Sequence, residues 1–394
     1  MREKIKSLAK EFHQEVIDIR RHLHANPELS FNEFETSKYI CDYLDKNNIP
    51  YQGGYVKTGI VAHIKGRNPD KKIIALRADM DALPIVETNE VSYKSKNEGV
   101  MHACGHDVHT SSVLGVAKIL NELKAEFEGT VKIVFQPGEE LLPGGASLMI
   151  KENALKNPDA ELIIGQHVYP QLPAGKVGFR KGMYMASADE IYVTVKGVGG
   201  HAALPHKIID PILIASHIVV ALQSIVSRSN NPIVPSVLSF GRIEGLGVTN
   251  IIPDEVKLQG TFRTFDEKWR ADAKLKMKKM AQGIAEGMGG TCEFVIENGY
   301  PFLVNDRAIT SVCWEAANDF LGKENVEALD LRMTSEDFAY YSQVMPSCFY
   351  RLGITNPIDG VQEGLHTSTF DIDEDALETS VGLMSYLAIN ALKS

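Results

Sequence analysis

One ten-residue segment of the chain contains most of the side-chain types that bind metal ions. Met101–Thr110 reads MHACGHDVHT and holds three histidines, one cysteine and one aspartate. Thiolate sulfur and imidazole nitrogen are borderline ligands that suit Zn²⁺ and similar divalent metals. Gly105 lets the backbone bend so that Cys104 and His106 can face one centre, and a helix N-terminus favours the thiolate form of Cys104. The segment therefore predicts a metal site.

Two adjacent glutamates, Glu139 and Glu140, could complete a hydrolytic site. Neighbouring carboxylates on a turn can point apart, so that one binds a metal ion and the other faces a water molecule. Metal-assisted hydrolysis needs an activated water and a general base that takes its proton. One glutamate of each kind meets this requirement, and two solvated turn glutamates are the alternative.

The elements that must position these residues are three predicted strands. Polar side chains follow each of them: Asp79 and Asp81 after Lys72–Arg77, Glu139 and Glu140 after Val131–Phe135, and Gln166 and His167 after Glu161–Ile164. The carboxyl ends of the strands form the ligand-binding crevice of an open α/β sheet. Each residue alone could be an ordinary strand-end residue. Together they predict one shared site beside the histidine-rich segment.

The order of elements predicts two domains. Strands that alternate with helices indicate an α/β domain with a mostly parallel sheet and helices on both faces. Between residues 189 and 300 the order becomes β-α-β-β-α-β, which is typical of a ferredoxin-like domain. We therefore predict a discontinuous catalytic domain over residues 1–186 and 298–394, with residues 187–297 inserted into it. A chain of 394 residues also favours two hydrophobic cores over one.

Composition narrows the class of partner. Acidic residues exceed basic ones by 51 to 41, which leaves no basic stripe for nucleic acid and favours a small-molecule substrate. Met1–His24 has helical periodicity instead of signal-peptide character. We found no apolar run near the ~18 residues of a membrane span, so we expect no membrane partner. The five cysteines lack disulfide spacing, and we expect a cytoplasmic location.

Five ordered motifs, HACGHD, FQPGEE, GQHV, GGHAALP and GLHTSTF, give the chain a family resemblance. Together they resemble the amidohydrolase branch of the aminoacylase/carboxypeptidase superfamily, which includes hippurate hydrolases, auxin-conjugate hydrolases and N-acyl-amino-acid deacylases. The likeness runs from RRHLHANPEL near the start to HTSTFDID near the end. It implies a metal-dependent hydrolase that cleaves the amide bond of N-acyl amino acids, without specifying the acyl group or the amino acid.

The resemblance implies two divalent metal ions per subunit. Five residues match the ligands: Cys104, His106, Glu140, His167 and His366. Zn²⁺ suits these donors best, with Mn²⁺, Co²⁺ and Ni²⁺ as alternatives. Glu139 matches the general base. Asp81 matches a carboxylate that orients a ligand, and we expect a supporting role for His102. Asp79 stands where the aminopeptidase branches have a histidine ligand, which leaves its role open.

In the inserted domain the resemblance implies three residues that contact substrate. His201 matches a histidine that reaches the site of a neighbouring subunit and stabilises the tetrahedral oxyanion. This match implies a homodimer, with the inserted domain acting in dimerisation. Asn250 and Arg263 match residues that hold the substrate carboxylate, and a forked guanidinium suits that task.

Three other functions are open at this point. A dipeptidase or carboxypeptidase on the same scaffold would take short peptides. A binding or regulatory protein would hold metal without turnover, although such a protein has no need of the base Glu139. A hydrolase with Cys104 as its nucleophile would leave Glu139, Glu140 and His167 without a role.

Overall fold

A computed structural model describes residues 1–356 and 364–394; the remaining residues, 357–363, belong to the predicted catalytic domain. The chain divides into two compact units. The first comprises Met1–Gly182, Val304–Asp330 and Asp337–Ser394, and the second comprises Met183–Leu303 and Leu331–Glu336. The domain boundaries predicted after residues 186 and 297 lie within a few residues of these limits. The segment Leu331–Glu336 has no counterpart in the prediction.

The secondary structure of the described residues alternates between helices and strands. The helices are α1 (Arg2–Ala25), α2 (Phe34–Lys46), α3 (His106–Glu122), α4 (Gly145–Lys151), α5 (Pro211–Ser224), α6 (Glu267–Gly287), α7 (Arg307–Leu321), α8 (Ala339–Val344) and α9 (Ala376–Ala391). The strands are β1 (Tyr51–Tyr55), β2 (Gly59–Lys65), β3 (Ile73–Asp79), β4 (Thr130–Gln136), β5 (Leu162–Pro173), β6 (Val177–Phe179), β7 (Gly182–Met185), β8 (Asp189–Lys196), β9 (Gly200–His201), β10 (Ser236–Glu244), β11 (Ile251–Ile252), β12 (Glu255–Thr264), β13 (Thr291–Asn298), β14 (Leu303–Asn305), β15 (Val326–Ala328) and β16 (Ser347–Thr355).

The first unit is built on an eight-stranded sheet in the order β1-β2-β4-β3-β5-β16-β6-β15. The central neighbours β4, β3, β5 and β16 run parallel, as do β6 and β15, whereas β1 and β2 form an antiparallel edge. Every residue of β3 and β4 is buried, as expected for parallel strands covered on both faces. The prediction of an α/β fold with a mostly parallel sheet is confirmed.

Three long helices of the first unit contact one another: α1 contacts α3 and α9, and α3 contacts α9. The buried positions of α1 include Ile5, Phe12, Val16 and Leu23, which follow the predicted helical periodicity. The helix α3 begins at His106, inside the histidine-rich segment. A predicted metal ligand therefore lies in the first turn of a buried helix.

The second unit contains the predicted β-α-β-β-α-β order as β8, α5, β10, β12, α6 and β13. Its four strands form an antiparallel sheet in the order β10-β12-β8-β13. One core joins α5 and α6 to this sheet, through residues such as Ile218, Met277 and Val193. Asp210 and Asp266 cap the two helices by accepting backbone N–H bonds. The unit is ferredoxin-like, as predicted.

The helix α5, together with the π turn that follows it, corrects one expectation. The stretch Pro211–Ser229 is long and apolar enough to cross a membrane by length and composition, with a mean hydropathy of 1.5. The expectation that the chain has no such run is wrong, because Ser216, His217, Gln223 and Ser224 interrupt the stretch without removing its apolar character. Ile214, Ile218 and Leu222 face the core of the second unit at helical spacing. Buried packing of one face is the behaviour of a globular helix.

Candidate metal centre

The ends of the central strands carry polar side chains, with one change to the predicted positions. Asp79 ends β3 and Glu139 follows β4 closely, but β5 continues to Pro173, so His167 lies inside a strand. The longer strand is stabilised by its pairing with β16, in which His167 lies opposite Arg351. The register of β3 on β5 ends with Arg77 opposite Gly165. His167 therefore projects beyond the last paired residue of β3, and the sheet edge is still where predicted.

All five predicted ligands lie in the first unit, and the described residues bring them together. The Cys104 Sγ lies 3.4 Å from the His167 Nε2 and 3.3 Å from the His366 Nε2. The His366 Nε2 is also 3.3 Å from the Glu140 Oε1. Candidate metal-binding groups, each with ligand atoms within 4.8 Å of one another, include Cys104-His106-His167 and Cys104-Glu140-His366. Cys104 belongs to both groups.

Two buried imidazoles are oriented through the same ring nitrogen, Nδ1. The His106 Nδ1 donates to the backbone carbonyl of Asp81 at 2.8 Å, and the His167 Nδ1 donates to that of Val168 at 2.8 Å. In the neutral ring, each bond keeps the proton on Nδ1 and leaves Nε2 to bind a metal ion. The His106 Nε2 and the Glu140 Oε1 are buried without a hydrogen-bond partner in the described part of the chain. Such orphaned atoms fit a site that a cation completes.

The charges around Cys104 and His106 are predominantly negative. Burial raises the pKa of the Cys104 thiol well above its usual value, and Glu140 and Glu139 raise it further. Burial and the two carboxylates therefore oppose the stabilisation of the thiolate that a helix N-terminus provides. Burial lowers the pKa of His106, but Asp79 and Asp81 outweigh burial and raise it to about 10. A surplus of negative charge around soft donors is the electrostatics of a cation site.

His366 reaches the centre from a loop near the C-terminus. Its backbone N–H donates to the carbonyl of Ala103 at 2.8 Å, which ties the loop to the histidine-rich segment. His366 has a φ of 62°, a left-handed conformation that is rare for a residue with a side chain. Strain of this kind is concentrated at functional sites. No local sequence pattern indicates this position, and only the family resemblance identified it.

Asp81 contacts the site at more points than the sequence suggested. Its Oδ1 accepts the N–H of Glu139 at 3.0 Å, and its Oδ2 accepts the N–H of Glu140 at 2.9 Å. Its Oδ1 also lies 3.3 Å from the His106 Nδ1. Asp81 therefore orients both glutamates through their backbone in addition to one histidine.

Asp79, whose role the sequence left open, is a buried carboxylate that bonds to a guanidinium and to an imidazole. Its carboxylate accepts bonds from the Arg77 Nη1 and from the His109 Nδ1, both at 2.5 Å. The His109 Nε2 accepts the N–H of Val168 at 3.0 Å, so both ring nitrogens of His109 are occupied by protein. Asp79 also lies 3.6 Å from the His106 Nε2. These contacts give Asp79 and His109 a supporting position beside the ligands.

The sequence reasoning missed a buried network next to Asp79. The Asp337 carboxylate accepts bonds from the Arg77 Nη2 at 2.7 Å, from the Gln136 Nε2 at 2.8 Å and from the backbone N–H of Ala146 at 2.9 Å. The Asp337 N–H donates to the Glu139 Oε1 at 3.3 Å. An arginine within the apolar strand β3 was the one available signal.

His102 does not make the contact expected of a supporting residue. Both of its ring nitrogens are buried and without a hydrogen-bond partner among residues 1–356 and 364–394. Burial lowers the pKa of His102 to about 4, so the ring is neutral. Asp107, five residues further, instead bonds to Arg20 and His24 at 2.8 Å each. Asp107 thus anchors the start of α3 to α1.

The three predicted substrate residues of the second unit lie outside its core. His201 is exposed on the short strand β9, and the adjacent Ala202 N–H donates to the Asn250 carbonyl at 3.0 Å. The His201 Nδ1 accepts the N–H of Ala203, which leaves the proton on Nε2. Asn250 is exposed as well. Arg263 is partly buried on β12 and donates to the Met333 carbonyl at 3.1 Å.

Comparison with known proteins supports the family resemblance. The model of Peptidase family M20/M25/M40 matches residues 75–390. The chain is 40% identical to N-acetylcysteine deacetylase of Bacillus subtilis strain 168, across 98% of this chain and 99% of the relative. It is 38% identical to thermostable carboxypeptidase 2 of Saccharolobus solfataricus, across 98% of each.

Comparison with solved structures indicates the same family. The fold is similar to that of a Bacillus subtilis protein described as a dinuclear metal-binding peptidase from the M20 family, with a TM-score of 0.82, 36% identity and coverage of 98% and 99%. The motif-based assignment is thereby confirmed. The chain belongs to Peptidase family M20/M25/M40 and is a hydrolase that acts on amide or peptide bonds.

Proposed function

We propose that this hydrolase cleaves the amide bond between an acyl group and an amino acid, with two divalent metal ions held by Cys104, His106, Glu140, His167 and His366. The observation that carries the proposal is the convergence of these donors on Cys104, within 3.4 Å of two imidazoles. The bound metals would polarise the scissile carbonyl and activate a water molecule. Sulfur and nitrogen donors favour Zn²⁺, with Mn²⁺, Co²⁺ and Ni²⁺ as alternatives.

Glu139 is the proposed general base. It is 7% exposed, and the Asp337 N–H and the Asp81 carboxylate hold its side chain and its backbone respectively. A carboxylate held in this way takes a proton from the attacking water and returns it to the leaving amine. The bonds with Asp81 and Asp337 restrict the orientation of Glu139, and they therefore fix the direction of this proton transfer.

The substrate-holding roles belong to the second unit. We propose that Arg263 and Asn250 bind the free carboxylate of the substrate, and that His201 donates its Nε2 proton to the oxyanion of a neighbouring subunit's substrate. The exposure of His201 and its tautomer are compatible with this role. The outer face of α5 supports a homodimer, because Ile212, Leu213 and Val220 on that face are 39%, 50% and 74% exposed.

N-acyl amino acids are favoured over peptides as substrates by the motifs and by the deacetylase relative. A dipeptidase or carboxypeptidase activity is the second candidate, and the carboxypeptidase relative favours it. We also propose a cytoplasmic location. No disulfide joins any of the five cysteines, all of which lie in the described ranges.

A substrate panel tests this proposal. The protein is stripped with a chelator, reconstituted separately with each of the four metals, and assayed on hippurate, N-acetyl amino acids and dipeptides. We expect chelation to abolish activity and the metal to restore it, with N-acyl amino acids turned over fastest. Faster turnover of dipeptides would replace the proposal with its second candidate. Activity that survives chelation would point to a thiol mechanism at Cys104.

Hybrid dimers test the role of His201. Inactive His201→Ala and inactive Glu139→Gln subunits are mixed under conditions in which exchange is demonstrated by mass. We expect partial recovery of activity, because some hybrid sites then have both residues intact. Exchange without recovery would remove His201 from the neighbouring site.

A further inference from the structure

The proposed base lies on a turn formed by residues 138–140. The three consecutive backbone amides of this turn bind two buried carboxylates. The N–H of Gly138 donates to the Glu33 Oε1 at 2.8 Å, whereas the next two amides donate to Asp81. Successive N–H groups that converge on carboxylate oxygens form an anion-binding concavity. The orientation of Glu139 therefore depends on two acidic residues that precede it by more than 50 positions.

The short loop between α1 and α2 supplies three side chains to this turn. The Ser30 Oγ donates to the Asp81 Oδ2 at 2.6 Å. The ring of Phe31 occupies the space where a side chain at Gly138 would be, with ring atoms 2.4 Å from an ideal Cβ. Phe31 has a φ of 63°, which is a left-handed and strained conformation for a phenylalanine. The backbone of the loop is thus strained at Phe31. Ser30 contacts the Asp81 carboxylate, whereas Phe31 and the third side chain, that of Glu33, contact the turn itself.

Glu33 is the residue that links this loop to the turn. It is fully buried, and its Oε1 is shared between the N–H of Phe31 at 2.9 Å and the N–H of Gly138. Its Oε2 accepts the Thr58 hydroxyl at 2.8 Å. Glu33 precedes α2 but makes no capping bond to that helix. Its side chain therefore serves the loop and the turn and not the helix that it begins.

We propose that Glu33 is a positioning residue for Glu139, which it acts on by fixing the peptide plane of Gly138. This inference rests on the proposed role of Glu139 as general base. Without the Glu33 bond, the first amide of the turn loses its partner, and the carboxylate of Glu139 can rotate away from the attacking water. Misplacement of a catalytic group by about 1 Å can lower a rate by roughly 10²-fold.

Glu33 stabilises the turn by accepting a hydrogen bond, and this role does not require its negative charge. Burial and the neighbouring charge of Asp81 raise the pKa of Glu33 to about 7. A glutamine has the same shape, can accept both N–H bonds through its carbonyl oxygen, and can donate to the Thr58 hydroxyl. Glu33→Gln should therefore preserve function.

Glu28 provides a matched control in the same part of the chain. Its carboxylate accepts the N–H of Glu35 at 3.2 Å and that of Thr36 at 2.8 Å, so it makes the same kind of bond without contacting the turn. A merely structural contribution predicts that Glu28→Ala and Glu33→Ala behave alike. A positioning role predicts that only the second changes catalysis.

The test compares kcat, KM and metal content of Glu33→Ala, Glu33→Asp, Glu33→Gln and Glu28→Ala in the metal-loaded protein. We expect kcat to fall by about 10- to 100-fold in Glu33→Ala and Glu33→Asp, with KM and metal content little changed. Glu33→Gln and Glu28→Ala should stay within about threefold of the wild type. Unchanged kcat in Glu33→Asp, which keeps the charge but shortens the reach, would overturn the inference even if Glu33→Ala failed to fold.

Hydrogen exchange gives a readout that does not depend on activity. The peptide that spans Gly138 and Glu139 should exchange faster in Glu33→Asp than in the wild type, and at the wild-type rate in Glu28→Ala. Equal exchange in all three proteins would contradict the inference. Failure of the proposed function has a different signature, since the wild type itself would then show no amidase activity on the panel while the exchange difference persisted.

Discussion

The proposed metal ligands of the first unit and the proposed substrate-binding residues of the second unit differ in how their side chains are held. In the first unit, His106, His167 and Glu139 are buried and fixed by bonds to backbone or carboxylate groups. In the second unit, His201 and Asn250 are exposed. A site that must bind metal in a fixed geometry is preorganised by burial. Residues that must meet a substrate or another chain are left accessible.

The largest effect that this comparison predicts is at His106, which belongs to three of the candidate metal-binding groups. His106→Ala should lose metal and lower kcat by roughly 10³-fold or more, equivalent to about 4 kcal/mol. His217→Ala is the control, because His217 is an exposed histidine of the second unit. Elemental analysis and steady-state rates measure both variants. A His106→Ala protein with full metal content would contradict the assignment of His106 to a preorganised metal site.

The next largest effect is on stability and falls on Arg20, which anchors the start of α3. Arg20 is fully buried and bonds to Asp107 and Asp371 at 2.8 Å each. Arg20→Met should lower the free energy of unfolding by about 3–5 kcal/mol, because it leaves the buried carboxylate of Asp107 without the counter-charge of the guanidinium. Denaturant titration measures the change.

The neighbouring Arg21 is the control for Arg20. Its side chain is 42% exposed and pairs with Glu374. Arg21→Met should cost about 1 kcal/mol or less. Equal losses in the two variants would show that burial does not distinguish the two ion pairs.

A smaller effect is expected at Arg263 in the second unit. Arg263→Lys removes the forked donor. Loss of a hydrogen bond to a charged group should lower kcat/KM by an amount equivalent to about 1.5–3 kcal/mol of transition-state stabilisation. Metal content should be unchanged. Arg242→Lys, on the neighbouring strand β10 and paired with Glu244, is the matched control. If KM and kcat/KM of Arg263→Lys equalled those of the control, Arg263 would not bind substrate.

The smallest effect concerns the core of the second unit. Ile218 is fully buried in α5, and Ile218→Val should cost about 0.5–1.5 kcal/mol of stability. Leu275 on α6 is 72% exposed, and Leu275→Ala should change stability by no more than about 0.5 kcal/mol. Neither variant should lose metal. Metal loss in Ile218→Val would mean that the second unit supports the centre of the first.

Local patterns were sufficient for residues whose position depends on a nearby strand end. Asp81, Glu139 and Glu140 lie where the alternation of strands and turns predicted them. His167 was identified although its strand was predicted too short, because pairing of β5 with the distant β16 extends it. The inserted β-α-β-β-α-β unit was also readable, since its capped helices and strands follow in simple order.

Residues whose role depends on partners distant in the chain could not be predicted. Arg77 and Asp337 are separated by 260 positions, and no local signal connects them. Glu33 contacts Gly138 across 105 positions. His366 was placed by resemblance alone. The glutamates that raise the pKa of Cys104 become close to it only in the folded protein, so no local pattern indicated their effect.

The division of labour between the two adjacent glutamates is the central claim, and one paired measurement tests it most directly. Metal content per chain and kcat are measured for Glu139→Gln and Glu140→Gln, loaded under identical conditions. We predict that Glu139→Gln keeps wild-type metal content while kcat falls by roughly 10²–10⁴-fold, and that Glu140→Gln loses bound metal. Wild-type turnover in Glu139→Gln, or full metal content in Glu140→Gln, would contradict the account.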